Sequence, residues 1–394
     1  MIRENSFFGF ILLLPIIFFL AACNNDESNP INETPHSFNA AISAYDLVSK
    51  MTVGWNLGNT LDAHSDGKKE TATATVAGIE RKWVGRVTTK ENITALREAG
   101  FNTIRIPVTW FKVCDEQFNI REDWMARVRE IVDYAVDNDM YILLNTHHDE
   151  YIFKFMDAEI EESLKTFKKI WEQIADTFKW YNEKLVFEGL NEPRTKGSRY
   201  EWSGGTQEER DNLNTYYQVF VDTVRASGGY NDKRLLLINT YAASSGEVAV
   251  NALKLPVDIE SDRIIVSIHA YEPYNFALNT GTSAVSTWDE NTGSATIKQL
   301  IDRAYYAFVH KGIPVIIGEF GAMDRNNEAT RALWAEFYTS YAKKMGMPCI
   351  WWDNHVFSGN GERFGLLNRA TNTFTYPLVV EGLMKGAGVI VSEP

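Results

Sequence analysis

The pattern of apolar and polar positions alternates between two kinds of segment along most of the chain. Longer stretches with helical periodicity occupy residues 89–99, 121–138, 159–181, 207–226, 296–310 and 327–344. Between them, short apolar or β-branched runs predict eight strands, at residues 52–57, 102–106, 141–145, 185–190, 235–239, 264–268, 314–318 and 348–352. Strands that alternate with helices form a parallel sheet, and eight such units predict the α/β class and a closed (β/α)8 TIM barrel.

An open, doubly wound sheet is the alternative arrangement for the same alternation. Such a sheet would carry a glycine-rich phosphate loop, and the chain contains neither G-x-G-x-x-G nor G-x-x-x-x-G-K-[ST]. Because no internal repeat divides the chain either, we expect one barrel domain at residues 41–394 with its active site at the C-terminal ends of the strands.

The first 40 residues have a different character from the barrel. Residues 7–20 are apolar and follow Arg3, a run that is too short to cross a bilayer comfortably but has the length of a signal peptide core. The run ends in an LAAC motif that resembles a bacterial lipoprotein signal. We therefore expect a signal peptide at 1–22, lipidation of Cys23 and a disordered polar tether at 23–40, in an exported lipoprotein of the outer membrane or cell surface.

Composition narrows the range of partners. Asp and Glu number 52 against 39 Lys and Arg, and the resulting net charge of -13 repels nucleic acids and anionic lipid headgroups. We expect a monomer that binds no nucleic acid and contacts the membrane through its lipid anchor only. Cys114 and Cys349 are expected to be free, buried thiols.

Polar residues cluster where the predicted strands end, which is where barrels of this kind hold their catalytic groups. Glu192 follows strand four and Glu319 ends strand seven, and these two strands face each other across an eight-stranded barrel. Two carboxylates without a nucleophilic Ser or Cys motif suit cleavage of a glycosidic bond, where one carboxyl protonates the leaving oxygen and the other attacks the sugar. We expect Arg105 to keep Glu319 ionised, and a neighbouring carboxylate to keep Glu192 protonated.

Six motifs in order resemble one known family. They are GWNLGNTLDA at 54–63, NTIRIPVTW at 102–110, NTHHD at 145–149, FEGLNEPR at 187–194, IGEFGAMD at 317–324 and IWWDN at 350–354. They resemble glycoside hydrolase family 5, most closely its subfamily 4. The resemblance implies a retaining endo-β-1,4-glucanase that needs no cofactor and cuts internal bonds of plant glucans such as cellulose, mixed-linkage glucan or xyloglucan. Two alternatives remain open, an endo-β-mannanase and a non-catalytic glycan-binding lipoprotein.

The resemblance also assigns roles by motif. It implies that Glu192 is the acid/base and Glu319 the nucleophile. Trp110 lies just past strand two and is expected to be a sugar platform, and in strand eight we choose Trp352 over Trp351 as the floor of the catalytic subsite. The residues expected to serve substrate binding, directly or by supporting a neighbour, are Arg105, His147, His148, Asn191, His269, Tyr271, Trp352, Trp110 and Asn59.

The His147-His148 pair could also be a metal site. We expect no metal there, because neighbouring residues of a strand point to opposite faces and their rings would not share an ion. Three other tryptophans, Trp83, Trp202 and Trp288, fall in predicted loops, where packing and sugar binding are equally compatible with the sequence.

Overall fold

A single closed barrel of eight parallel strands forms the body of the protein. A computed structural model describes Met1 and residues 36–390. The barrel strands are β1 (Val53–Leu57), β2 (Thr103–Ile106), β3 (Tyr141–Asn145), β4 (Leu185–Glu188), β5 (Leu236–Ser244), β6 (Ile264–His269), β7 (Val315–Phe320) and β8 (Cys349–Asp353). They are hydrogen-bonded in sequence order and β8 closes on β1, which confirms the predicted fold.

Eleven α-helices accompany the strands in the described residues, and most of them connect one strand to the next on the outside of the barrel. They are α1 (Ala44–Val48), α2 (Val76–Glu80), α3 (Lys90–Glu98), α4 (Glu122–Asp137), α5 (Ile160–Phe178), α6 (Gln207–Ala226), α7 (Glu247–Ala252), α8 (Tyr274–Ala277), α9 (Glu290–Ala307), α10 (Glu328–Lys344) and α11 (Pro377–Ala387). A two-stranded hairpin, β9 (Leu367–Asn368) and β10 (Thr373–Phe374), follows β8. Within the described residues, no helix has the length and apolar character to span a membrane.

The six predicted helices are all present, but one begins earlier than its periodicity suggested. Helix α9 begins at Glu290 rather than at residue 296, because Asp289 caps it by accepting a hydrogen bond from the backbone of Asn291. The short helices α1, α2, α7 and α8 and the C-terminal α11 were not predicted. Segments of four to six residues contain too few turns to show a helical period.

The N-terminal end of the barrel is filled and capped. Apolar side chains from most of the strands, including Leu143, Val186 and Ile316, form one interior cluster with Leu47 and Val48 of α1. Helix α1 therefore covers this end of the barrel, in agreement with the role of interior layers as packed core rather than as a pore. The polar strand ends gather at the opposite, C-terminal end, which α1 leaves uncovered.

The described part of the predicted tether is docked on the barrel. The backbone of His36 donates to the carbonyl of Trp180, and Phe38 stacks on Tyr230 with ring centroids 4.6 Å apart. Residues 36–40 therefore differ from the disordered segment that their polarity predicted, since aromatic contacts fix them. The remainder of the tether, Cys23 and the signal peptide beyond Met1 lie outside the described residues. Cys114 and Cys349 are free and buried, as expected.

Candidate active site

Two glutamates face each other at the C-terminal mouth of the barrel. Glu192 follows the end of β4, and Glu319 lies within β7. One carboxylate oxygen of each, together with a ring nitrogen of His269, lies within 4.8 Å of the other two atoms. The fold thus brings together the two carboxylates that the sequence selected.

A bulge in β7 turns Glu319 into the barrel. Ile317 pairs with Ile268, whereas Glu319 pairs with the next residue of β6, so β7 contains one extra residue at Gly318. A Cβ atom on Gly318 would stand 2.5 Å from Ser267 Oγ. Only glycine fits this close approach, and the bulge therefore depends on it.

Arg105 holds the nucleophile candidate in place from beneath. Its Nη1 donates to Glu319 Oε1 at 2.7 Å and to Asn56 at 2.9 Å, and its Nη2 donates to Asn191 Oδ1 at 2.7 Å. The guanidinium has no exposed surface. Arg105 therefore positions Glu319 and Asn191 without contacting a substrate itself, which is the supporting role that the sequence analysis expected for it.

Glu188 is a functional residue that the sequence analysis did not select. It is fully buried and forms a two-pronged ion pair with Arg105, from Nε to Oε2 at 2.6 Å and from Nη2 to Oε1 at 2.8 Å. Asn239 also donates to it. A glutamate within the apolar run LVFEGL was the available signal, because a buried charge requires a partner and Arg105 is the only Lys or Arg in the eight barrel strands.

Hydrogen-bond donors surround the carboxylate of Glu319. Tyr271 donates its hydroxyl to Glu319 Oε2 at 2.9 Å. Burial and the charge of Glu319 raise the pKa of Tyr271 well above its usual value, so the hydroxyl keeps its proton and remains a donor. Burial alone would lower the pKa of Arg105, but Glu188 and Glu319 raise it, so the guanidinium remains a cation.

Glu192 has a different environment from the one the sequence predicted. Burial would raise its pKa, but the hydrogen bond and charge of His269 and the charge of Arg194 lower the pKa to about 2. His269 Nδ1 lies 3.0 Å from Glu192 Oε1, and Arg194 Nη1 lies 3.3 Å from Oε2. The expectation that a neighbouring carboxylate keeps Glu192 protonated is therefore wrong, because the interactions with His269 and Arg194 outweigh the effect of burial and lower the pKa.

Trp352 lines the mouth and Trp351 does not. The ring of Trp352 stacks on His147 with centroids 5.7 Å apart and an interplanar angle of 4°. Trp351 is fully buried and donates its indole N–H to the carbonyl of Phe364. Alternation along β8 directs one ring inward and the other toward the helices, so the choice of Trp352 as the residue at the mouth agrees with the structure.

Trp110 is not a sugar platform. Its side chain has no exposed surface, and its indole N–H donates to the backbone carbonyl of Asn145 at 2.9 Å. The backbone N–H of Trp110 is also bound, by Asp149. The prediction failed because the segment after β2 folds back over the barrel wall, where a large ring fills the core.

The two adjacent histidines lie closer together than strand alternation would allow. His147 and His148 follow the end of β3 at Asn145, where the alternation stops, and their ring centroids are 4.5 Å apart. With Asp62 they offer three ligand atoms within 4.8 Å of one another. The stereochemical reason against a shared ion is therefore wrong, because the two rings lie side by side rather than on opposite faces. Imidazole nitrogens and a carboxylate oxygen are also donor types that can bind zinc. Burial lowers the pKa of both rings, that of His148 to about 4.

The remaining predicted residues lie around this mouth or in its loops. Asn59, half-buried with a positive φ of 59°, follows β1, and its backbone N–H is bound by Asp62. Trp83 is exposed and packs beside His64 and His148. Trp288 packs on Phe337 of α10, on the outside of the barrel.

Sequence comparisons show which known proteins the chain is similar to. The model of the family Cellulase (glycosyl hydrolase family 5) matches residues 65–358. Endoglucanase 1 of Ruminococcus albus is 45% identical over 360 residues, which cover 90% of this chain and 84% of that protein. Endoglucanase A of Clostridium longisporum is 41% identical over 364 residues, which cover 91% of this chain and 69% of that protein.

Solved structures of glycoside hydrolase family 5 enzymes are also similar to this chain. A GH5-4 broad specificity endoglucanase from Ruminococcus champanellensis, solved with bound cellotriose, superposes with a TM-score of 0.85 at 44% identity, covering 89% of this chain and 100% of that chain. A GH5 family lichenase from Caldicellulosiruptor sp. F32 superposes with a TM-score of 0.83 at 41% identity, covering 91% of this chain and 98% of that chain.

Proposed function

Because the chain belongs to glycoside hydrolase family 5, we propose that it is an endo-β-1,4-glucanase that hydrolyses internal bonds of plant glucans with retention of configuration. The observation that carries the proposal is the pair of Glu192 and Glu319, with oxygens within 4.8 Å of each other at the mouth of the barrel. Relatives named endoglucanase and lichenase support a β-glucan as the substrate.

The first step breaks the glycosidic bond. Glu319, held by Arg105 and Tyr271, attacks the anomeric carbon and forms a glycosyl ester, while Glu192 gives a proton to the leaving oxygen. The proton must lie on Glu192 when the bond breaks. An entering sugar displaces water from the carboxylate, which makes its negative charge more costly and favours the protonated form. His269 Nδ1 lies 3.0 Å from Glu192 Oε1, within the distance for a direct proton transfer.

The second step releases the sugar. Water enters where the leaving sugar has departed, gives a proton to Glu192 and attacks the anomeric carbon, which frees Glu319. During both steps Arg105 binds Asn191 by its Oδ1 atom, so the amide NH2 group of Asn191 is the part that can donate to the 2-hydroxyl of the sugar. His147 and Trp352 form the stacked wall beside this subsite.

A panel of polysaccharides tests the substrate. Reducing-sugar release should be highest on cellulose derivatives, mixed-linkage β-glucan or xyloglucan and low on β-mannan. A preference for mannan would replace the glucanase with the mannanase, and binding without cleavage of any polymer would favour the non-catalytic alternative.

The stereochemical course provides a second test. We expect proton NMR of the first product to show the β-anomer before mutarotation, because two inversions at one carbon restore the starting configuration. The variant Glu272→Gln, which changes a glutamate after β6 whose carboxylate binds the backbone of Tyr274, is the matched control and should give the same anomer. An initial α-anomer would contradict the assignment of Glu319 as nucleophile.

We further propose that the protein acts as a monomer at the cell surface, anchored through lipid on Cys23. The LAAC motif at the end of an apolar run supports the anchor. The docking of His36 and Phe38 beside Trp180 and Tyr230 is compatible with it, because these partners lie in loops that precede β4 and β5. Residues 36–40 therefore contact the barrel at the end opposite the two glutamates.

Replacement of the lipidated residue tests the anchor. In Cys23→Ser the thiol that would carry the lipid is absent, so the protein should move from the membrane fraction to the soluble fraction with unchanged activity per molecule. Immunoblots of the two fractions measure the change, and Cys114→Ser, which alters a buried thiol of the barrel, should leave the distribution as it is. A Cys23→Ser protein that remains in the membrane fraction would refute the lipoprotein assignment.

A further inference from the structure

A buried amide on β1 binds the strand that carries the nucleophile candidate. Asn56 has no exposed surface, and its neighbours Trp55 and Leu57 pack in the core cluster between strands and helices, so alternation directs the Asn56 side chain into the barrel. In the strand registers Asn56 pairs with Arg105 of β2 and with Trp352 of β8. It therefore lies beside two residues of the site, although it is too deeply buried to contact a sugar.

The NH2 group of Asn56 binds the backbone at the bulge of β7. Its Nδ2 atom donates to the carbonyl of Gly318 at 3.0 Å and to the carbonyls of Ile350 and Trp351 in β8 at 3.2 Å each. The register between β7 and β8 also shifts at this point. Two N–H bonds serve three acceptors, so at least one of them is shared. The amide thus ties β7 to β8 where the bulge interrupts their regular pairing.

The other end of the same amide binds Arg105. Asn56 Oδ1 accepts from Nη1 at 2.9 Å, and this Nη1 atom also donates to Glu319 Oε1 at 2.7 Å. The carbonyl of Gly318 belongs to the planar peptide bond that precedes Glu319. Asn56 therefore acts on Glu319 in two ways, on its backbone through Gly318 and on its carboxylate through Arg105. An amide offers both the donor and the acceptor that this requires, whereas an apolar side chain of the same size offers neither.

We infer that Asn56 is a positioning residue that sets the direction in which Glu319 attacks. This inference rests on the proposed function, in which Glu319 forms an ester with the anomeric carbon. The attack requires the carboxylate oxygen to be aligned with that carbon, and a displacement of about 1 Å can lower a rate about 10²-fold. Substrate binding should not depend on Asn56, because its side chain has no exposed surface.

Trapping of the glycosyl ester tests the inference. In 2,4-dinitrophenyl 2-deoxy-2-fluoro-β-cellobioside the fluorine slows hydrolysis of the ester, and the aryloxide leaves without a proton. Glu319 forms a bond to the anomeric carbon, the bond from that carbon to the aryl oxygen breaks, and one dinitrophenolate is released per active site. The rate constant of release measures the attack, its amplitude counts the folded sites, and the reagent concentration at half-maximal rate measures binding.

We expect Asn56→Leu, which has nearly the same shape as the native residue, to lower this rate constant about 10- to 10²-fold without changing the half-maximal concentration. Asn56→Ala is the second variant and should show the same fall, because a water in the space can bind the carbonyls but does not fix Arg105. Asn231→Leu is the matched control. Asn231 is equally buried, but it binds Arg234 and the carbonyl of Ala175 at the opposite end of the barrel. This variant should lose stability and amplitude and keep the wild-type rate constant per site.

A wild-type rate constant in either Asn56 variant would overturn the inference. A loss confined to the amplitude or to the half-maximal concentration would also overturn it, since a purely structural role changes the number of folded sites and not the rate at which each one attacks. A wild-type enzyme that releases no dinitrophenolate and cleaves no glucan would instead refute the proposed function.

Discussion

Glu319→Gln should hydrolyse glucan at least about 10³-fold more slowly than the wild-type enzyme. The amide has the size of the carboxylate, and its one oxygen can still accept from either Tyr271 or Arg105, which bind separate oxygens of Glu319 at 2.9 and 2.7 Å. It is a much weaker nucleophile, however, and forms no glycosyl ester. Initial rates of reducing-sugar release measure the loss. Glu272→Gln is the control, because its glutamate lies outside the pair, and it should retain most of the activity.

Glu192→Gln should reduce glucan hydrolysis by a similar factor, but because it lacks the acid/base rather than the nucleophile. A glycosyl fluoride such as β-cellobiosyl fluoride distinguishes the two causes. Fluoride leaves without needing a proton, so Glu192→Gln should still form the ester on Glu319. It should release a burst of one fluoride ion per active site. The burst should then stop, because no base activates water for the second step. Glu319→Gln should show no burst. Equal behaviour of the two variants would contradict the division of roles.

The barrel could be predicted because its strands are buried on both faces. Such strands read as short continuous apolar runs, and all eight were found within a few residues of their limits. The short helices were missed for the opposite reason. Helix α1, for example, has five residues, and its position as a cap is set by contacts with Val186 and Ile316 in the barrel interior rather than by a local pattern.

The site was predictable in position but not in its electrostatics. Glu192, Glu319, His269 and Tyr271 meet at the mouth because each lies at the end of a strand. The low pKa of Glu192 depends on His269 and Arg194, and a sequence cannot show which of several nearby charges lies at 3 Å. The failure of Trp110 has a related cause, because its position past β2 did not indicate whether the ring points to solvent or to the core.

The sequence analysis did not predict the buried ion-pair network that joins Glu188, Arg105 and Glu319. The carboxylates of Glu188 and Glu319 share Arg105, and neither the guanidinium nor Glu188 has any exposed surface. A buried cation between two carboxylates fixes the nucleophile, and it also makes the core of the barrel depend on one ion-pair network. Stability and catalysis are therefore coupled at Arg105.

Arg105→Met should lower the free energy of unfolding by about 3–5 kcal/mol, the cost of leaving a buried charge without its partner. Methionine fills part of the volume but donates no hydrogen bond, so Glu188 keeps only Asn239 as a donor and lies near the unneutralised Glu319. Urea unfolding followed by tryptophan fluorescence measures the change. Activity should fall too, because Glu319 loses the donor that orients it.

The double variant Arg105→Met/Glu188→Gln separates these two effects. Removing the charge of Glu188 removes the main penalty, so the double variant should recover most of the lost stability. It should not recover activity, because Glu319 still lacks the hydrogen bond of 2.7 Å from Nη1. Arg105→Lys retains the charge but not the fork that binds Glu188 at two points, and it should lie between wild type and Arg105→Met in stability. If the single and double variants unfold at the same urea concentration, the unpaired charge of Glu188 is not what destabilises Arg105→Met.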